Sequence, residues 1–238
     1  MRDPATIRLL PDGHRLHLSD GPMDLIINAD AANFAEIHRA YEAAARRFVT
    51  ILDELCAELP LLRARVTKDS LTPAGPIARV MACALAPYRN RCFVTPMAAV
   101  AGAVAEAVLA AMTQAAQLNR AYVNNGGDIA LYLDAAQSYT IGMVGRPDHP
   151  SLFGSLKISA STPVRGVATS GWRGRSFSLG IADAVTVLAQ TAAQADAAAT
   201  IIANAVDLPN HPAISRIPAR DIAPDSDLLD LPVTRAVG

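Results

Sequence analysis

From Thr95-Pro96 to about Gln117 the chain reads as one helix, with threonine and proline in N-cap and first-turn positions. Its first turns, Met97-Ala98-Ala99-Val100-Ala101-Gly102-Ala103-Val104-Ala105-Glu106, carry small residues almost all round. Such a helix suits a place where its backbone lies close against a sheet or a ligand, or simply a buried one.

The flanking segments supply the sheet and the other helices. Ile7-Arg8-Leu9-Leu10, Arg15-Leu16-His17-Leu18 and Met23-Asp24-Leu25-Ile26-Ile27 are short runs separated by turn residues, and they predict an antiparallel meander. From Asn33 to Leu59, Phe34, Ile37, Tyr41, Phe48, Ile51 and Leu55 recur at helical spacing opposite Glu36, Arg39, Glu42 and Glu54. This predicts a long amphipathic helix closed by Pro60. Another helix is expected over Ile77 to Leu85, between Gly75-Pro76 and Pro87. After Gln117, strand-like segments at Ala121–Val123, Ile129–Leu133, Tyr139–Val144, Gly154–Ile158 and Val164–Ala168 are expected to form the second half of the sheet. Asp183 to Leu188 reads as one more strand, leading into an Ala-rich helix from Thr191 to Val206, and the proline-bearing remainder reads as an irregular wrap. No linker or repeat divides the chain, so the expectation is a single α+β domain over residues 1–238, a mostly antiparallel sheet packed by long helices.

Composition agrees with a folded core, at 51% hydrophobic and 18% charged residues. A formal net charge of -1 gives no drive toward nucleic acid, and Arg46-Arg47 and Arg89/Arg91 read as solvated charges. Cys56, Cys83 and Cys92 are an odd set without CxxC spacing, which indicates neither a disulfide framework nor a zinc site and fits a reducing compartment. Met1-Arg2-Asp3-Pro4 does not open an apolar run, and the run from Met97 to Ala105 stops at Glu106, short of the ~20 residues of a membrane span. A cytoplasmic protein without membrane segments is expected.

Three features carry candidate chemistry. Asn124-Asn125-Gly126-Gly127-Asp128 lies between two strand-like runs; it serves as a plain hairpin turn or as a ligand loop, in which paired glycines permit backbone approach to a phosphate or flat ring. Asp196 and Thr200 lie four apart on the Ala-rich helix, projecting a carboxylate and a hydroxyl from one face; they are either solvent-exposed or the oxygen ligands of a cation such as Mg²⁺. Ala168-Thr169-Ser170-Gly171 ends a strand with groups suited to an anion, or is an ordinary strand exit, and Trp172 beside it either stacks on a ring or seals a core edge. His14, His17, His38, His149 and His211 show no metal-binding spacing, and no GxSxG or GxxxxGKS motif occurs.

Taken in order, the small-residue helix, the NNGGD turn, the ATSG stretch and the Asp196/Thr200 helix resemble the ApbE family, the FAD:protein FMN transferases, over roughly Thr95 to Val206. The chain is still more similar to a shorter, cytoplasmic ApbE-like branch. The resemblance implies an FAD-binding α+β fold with Mg²⁺ bridging the diphosphate. It assigns the metal to Asp196 and Thr200, and the flavin nucleotide to the Gly126-Gly127-Asp128 loop and Ala168-Thr169-Ser170-Gly171. It also implies transfer of FMN to a threonine of an acceptor protein. The family's Lys-Gly-Tyr-x-x-Asp stretch corresponds to Ala101-Gly102-Ala103-Val104-Ala105-Glu106, and its His-x-x-Asp-Pro-x-x-Gly segment has no counterpart around Ser176 to Asp183. Glu106 and Asp183 are therefore the expected acid/base carboxylates. Alternatives on the same fold are a cofactor-assembly step on a pterin-like or other heteroaromatic compound, and a non-catalytic flavin or ligand carrier. Exposed sheet edges and Ala-rich helices suit a homodimer.

Overall fold

The computed structural model describes residues 4–144 and 151–238, so His149 lies outside the described residues. The expected meander opens the fold as β1 (Thr6–Leu9), β2 (Leu16–Asp20) and β3 (Met23–Asp30), paired antiparallel in order. In β2 and β3 every second residue is buried, so Leu16, Leu18, Met23, Leu25, Ile27 and Ala29 face the core. Helix α1 (Phe34–Ala57) starts at Asn33, whose side chain accepts the Glu36 N–H. It lays Ala40, Ala44, Phe48, Ile51 and Leu55 into that core. Pro60 does not close this helix: α1 stops at Ala57, and Pro60 stands in the first turn of a short α2 (Leu59–Leu62), where its missing N–H has no helical partner to lose.

Helix α3 (Pro76–Leu85) runs into a single 3-10 turn that contains Pro87. The small-residue helix is likewise two pieces, a 3-10 turn over Pro96–Ala99 and α4 (Val100–Ala115). The Thr95 side chain makes no cap; its hydroxyl donates to Asp227 instead. By length and composition Pro96–Ala115 is apolar enough to cross a membrane, which the shorter run read from sequence did not show. Here it lies among α1, β4, β5 and α5 as a core helix, with Gly102, Ala103, Val104, Ala105, Val108 and Met112 buried.

The main sheet has seven strands in the order β1-β2-β3-β4-β5-β8-β9, all antiparallel neighbours. Its later strands are β4 (Arg120–Asn125), β5 (Asp128–Leu133), β8 (Gly166–Ser170) and β9 (Val185–Ala189). Not every expected strand joins it. β6 (Ser138–Val144) and β7 (Leu152–Ser159) pair only with each other, as a separate two-stranded ribbon. Each satisfies the other's backbone, and the place beside β5 is taken by β8, with Ile129 opposite Val167. The ribbon's Ile158 packs with Leu131, Leu133 and Val167 in a second apolar cluster. Helix α5 (Ala192–Ala205) follows β9, with Thr191 accepting the Gln194 N–H as its N-cap. The C-terminal stretch is ordered rather than an irregular wrap: β10 (Ile214–Pro218), α6 (Ala219–Ile222) and β11 (Pro232–Val237) form a small antiparallel unit. Pro218 and Pro232 pair at its very end, where a missing donor does least harm to the ladder. The whole is an α+β domain built on a large antiparallel sheet, as the sequence predicts.

Candidate functional site

NNGGD is the β4–β5 hairpin itself. Asn125 pairs with Asp128 across a two-residue loop, and Gly126 and Gly127 take φ of 66° and 117°, a region L side chains rarely adopt. Asn124 accepts the Gly127 N–H at 2.8 Å, which fixes the loop. Asn125 is buried and ties the hairpin to its surroundings: its amide donates to the Ala101 carbonyl at 3.2 Å, and its oxygen accepts the Asp24 N–H at 3.4 Å. The turn is thus both a hairpin and one wall of a site.

Asp128 opens β5 beside the end of β8, where the Thr169 backbone N–H donates to its carboxyl. Asp196 reaches the same region from α5. One of its oxygens accepts the Gly102 N–H at 3.0 Å, and the Ala101 N–H donates as well. Those N–H groups belong to the first turn of α4 and have no partner within their helix. The approach depends on small residues: a Cβ on Gly102 would stand 2.3 Å from the Ala192 carbonyl oxygen. Asp196 is buried, not solvent-exposed. Burial pushes its carboxyl well above the usual range and the negative charge of Asp128 pushes it further, against the two N–H donors. Burial likewise raises Asp128 to about 7, with the Thr169 N–H opposing. Thr200 is half-buried one turn further along α5.

The structure therefore brings NNGGD, the ATSG backbone and Asp196 together around Asp128. The other expected groups lie elsewhere. The Thr169 hydroxyl is engaged with that of Thr186 at 2.9 Å, across β8 and β9. Past Ser170, the backbone of Gly171 passes so close to Asp183 that a Cβ would lie 2.3 Å from its carbonyl oxygen. Asp183 accepts from the Trp172 indole at 2.9 Å and from Arg173 at 2.8 Å, and Arg173 lies over the Trp172 ring. This is a surface cluster, with the Asp183 side chain 54% exposed. Glu106 accepts the Ala193 N–H at 2.7 Å, at the start of α5. Two helices thus cap one another: α5 supplies Asp196 to the first turn of α4, and α4 supplies Glu106 to the first turn of α5.

A cavity of about 520 Å³ opens between the C-terminal part of α1 and the hairpin tip. Leu55, Cys56, Met97 and Val104 give it apolar walls, and Asn125 and Asp128 stand at its polar side. Arg63 and Arg175, which the sequence reading passed over, also line it. Arg175 lies over the hairpin, its guanidinium 3.1 Å from where a Gly126 Cβ would be. Its only sequence signal is a position shortly after ATSG and Trp172; Arg63 has none. A larger cavity of about 720 Å³, between β1–β3 and α1, contains none of the groups singled out from sequence.

Two crowded carboxylates held by backbone N–H groups are a donor set that fits a hard divalent cation, which would relieve the charge that burial penalises. No cluster of three or more His, Cys, Asp or Glu side chains suited to a metal occurs among the described residues. Further ligands would have to be hydroxyl, backbone, water or phosphate oxygens, as Mg²⁺ commonly takes.

A glycine hairpin, an ATSG strand end and a helix-borne aspartate thus meet on a largely antiparallel α+β domain, the arrangement that the resemblance to the ApbE family implies. The chain belongs to the family described as AbpE bacteria, whose model matches residues 7–238. It is 36% identical to a UPF0280 protein of Methanopyrus kandleri over 189 residues, 76% of this chain and 69% of the relative. UPF0280 proteins of Methanothrix thermoacetophila (37% over 161 residues) and Methanospirillum hungatei (36% over 126 residues) match 66% and 52% of this chain. Those two alignments span 64% and 50% of the relatives' own length.

Proposed function

We propose that the chain is an ApbE-like enzyme that binds a nucleotide or flavin-type ligand in the cavity beside Asp128. In the presence of Mg²⁺ it transfers FMN from FAD to an acceptor. The observation that carries this reading is the Asp128–Asp196 pair, with Asp128 at the polar side of a cavity whose other walls are largely apolar. Apolar walls with a few convergent polar groups suit a flat heteroaromatic ring. At Gly127 nothing stands within 4 Å of where a Cβ would be, which leaves room for a phosphate to approach backbone. Asp196 and Asp128 would hold the cation, with Thr200 on the same helix, and the bound cation would offset charge on the diphosphate and on the AMP leaving group. Of the two expected acid/base carboxylates, Glu106 is engaged at the start of α5. Asp183 has the exposure that taking a proton from an acceptor hydroxyl requires, but Trp172 and Arg173 hold it outside the cavity lining, so the acceptor would have to bridge the two.

The test is AMP release from FAD by the purified protein, with and without Mg²⁺, separated by chromatography. Mg²⁺-dependent AMP, lost in Asp196→Asn, is expected. Failure to bind FAD even at high concentration would overturn the flavin assignment and shift the reading to another flat heterocycle. Ala101 and Ala103, standing where the family's lysine and tyrosine do, favour that second reading.

A further inference from the structure

Arg63 and Arg175 reach the same cavity from different walls. Arg63 ends α2 beside the α1 residues Leu55 and Cys56, and Arg175 lies over the hairpin tip. Neither guanidinium has a hydrogen-bond or ion-pair partner among the described residues. Other arginines are differently placed: Arg15, Arg47, Arg120, Arg173, Arg216 and Arg220 each hold a carboxylate, and none of these six lines this cavity. Asp128 is the acidic residue lining this cavity, and it is not their counterion, since neither arginine is among the groups that lower its carboxyl. Two guanidinium groups and one carboxyl thus share the cavity without an ion pair between them.

We propose that Arg63 and Arg175 form an anion clamp that binds a phosphate or diphosphate group of the cavity's ligand. This rests on the cavity being the ligand site, and it adds a recognition step that needs no metal. A guanidinium offers paired N–H donors in a fixed plane, which match two oxygens of a phosphoryl group. A diphosphate carries free oxygens on both phosphorus atoms and accepts from both walls at once, whereas a carboxylate has only two oxygens to divide between them. The apolar stretch between the walls then receives the ring system attached to the phosphate.

The probe is inorganic pyrophosphate, titrated calorimetrically into the full chain in EDTA, with citrate as the carboxylate control. Pyrophosphate should bind, and Arg175→Ala and Arg63→Ala should each weaken it by about tenfold or more, the scale of a lost charge-assisted pair. Arg175→Lys should recover only part of that loss, because an ammonium cannot make the paired contact. Cys56 is exposed and lines the same cavity, so pyrophosphate should slow its alkylation in the wild type, read by peptide mass spectrometry, and should not do so in Arg175→Ala. Equal affinity in the wild type and both alanine variants, or citrate binding as tightly as pyrophosphate, would overturn the clamp. Pyrophosphate binding in EDTA involves neither FAD nor a metal, so a failed FAD assay and a failed clamp are read separately.

Discussion

Asp196 shows how a carboxylate survives inside an alanine-rich helix. Its neighbours Ala192, Ala193, Ala195, Ala197 and Ala199 are buried with it, and the α4 backbone comes close enough to donate N–H groups because position 102 is glycine. Gly102→Ala is therefore expected to lower stability by about 1–3 kcal/mol, the range for overpacking a tight core, as read by urea denaturation. Wild-type stability in that variant would contradict the close approach. The identity of this residue and its four-residue spacing from Thr200 were legible in the sequence. Its partner was read only in part: Asp128 stood in the turn or ligand loop, with no sign that it is the carboxylate whose charge acts on Asp196 beside the end of β8. Arg175 was invisible for a related reason, since what singles it out is its place over the hairpin tip in the cavity wall.

At the scale of elements, α4 and α5 hold each other at their first turns, and Glu106 is half of that lock. Glu106→Ala should lower stability by about 0.5–2 kcal/mol, the usual range for a lost cap. Glu106→Gln keeps a carbonyl oxygen for the Ala193 N–H and should keep both most of that stability and AMP release. A loss of about 100-fold or more in activity with the glutamine variant would instead place Glu106 in the chemistry. In the core, α1 carries Phe48, fully buried, and Phe48→Ala should cost about 3–5 kcal/mol by the same denaturation measurement. Periodicity located these helices and most strands because an alternating or 3.6-residue apolar pattern is a local property. It did not show that β6 and β7 leave the main sheet, since a strand's own pattern does not say which neighbour completes its hydrogen bonds. The C-terminal prolines misled for the opposite reason: they mark strand ends as readily as irregular chain.

For the molecule as a whole, the raised carboxyls link stability to pH. Folding raises Asp128 to about 7 and Asp196 in the same direction, so the folded state keeps protons that the unfolded chain releases from the ordinary aspartate range upward. The metal-free protein should therefore lose stability as pH rises through that window toward 7, by on the order of a few °C in Tm, and Asp128→Asn should flatten the slope. A metal-free protein whose Tm rises over the same window would contradict the buried pair. Legible from sequence was a domain with a site near NNGGD and Asp196; the cavity that joins the hairpin to Arg63 and Arg175 exists only once α1, the hairpin and the loop after Trp172 converge. The most direct test is a count of Mn²⁺ bound per chain by electron paramagnetic resonance, in the presence of ADP, for the wild type and for folded Asp128→Asn and Asp196→Asn. One Mn²⁺ in the wild type, lost in both variants, is the expected result; no Mn²⁺ in the wild type, or equal occupancy in all three, would contradict a cation held by this pair.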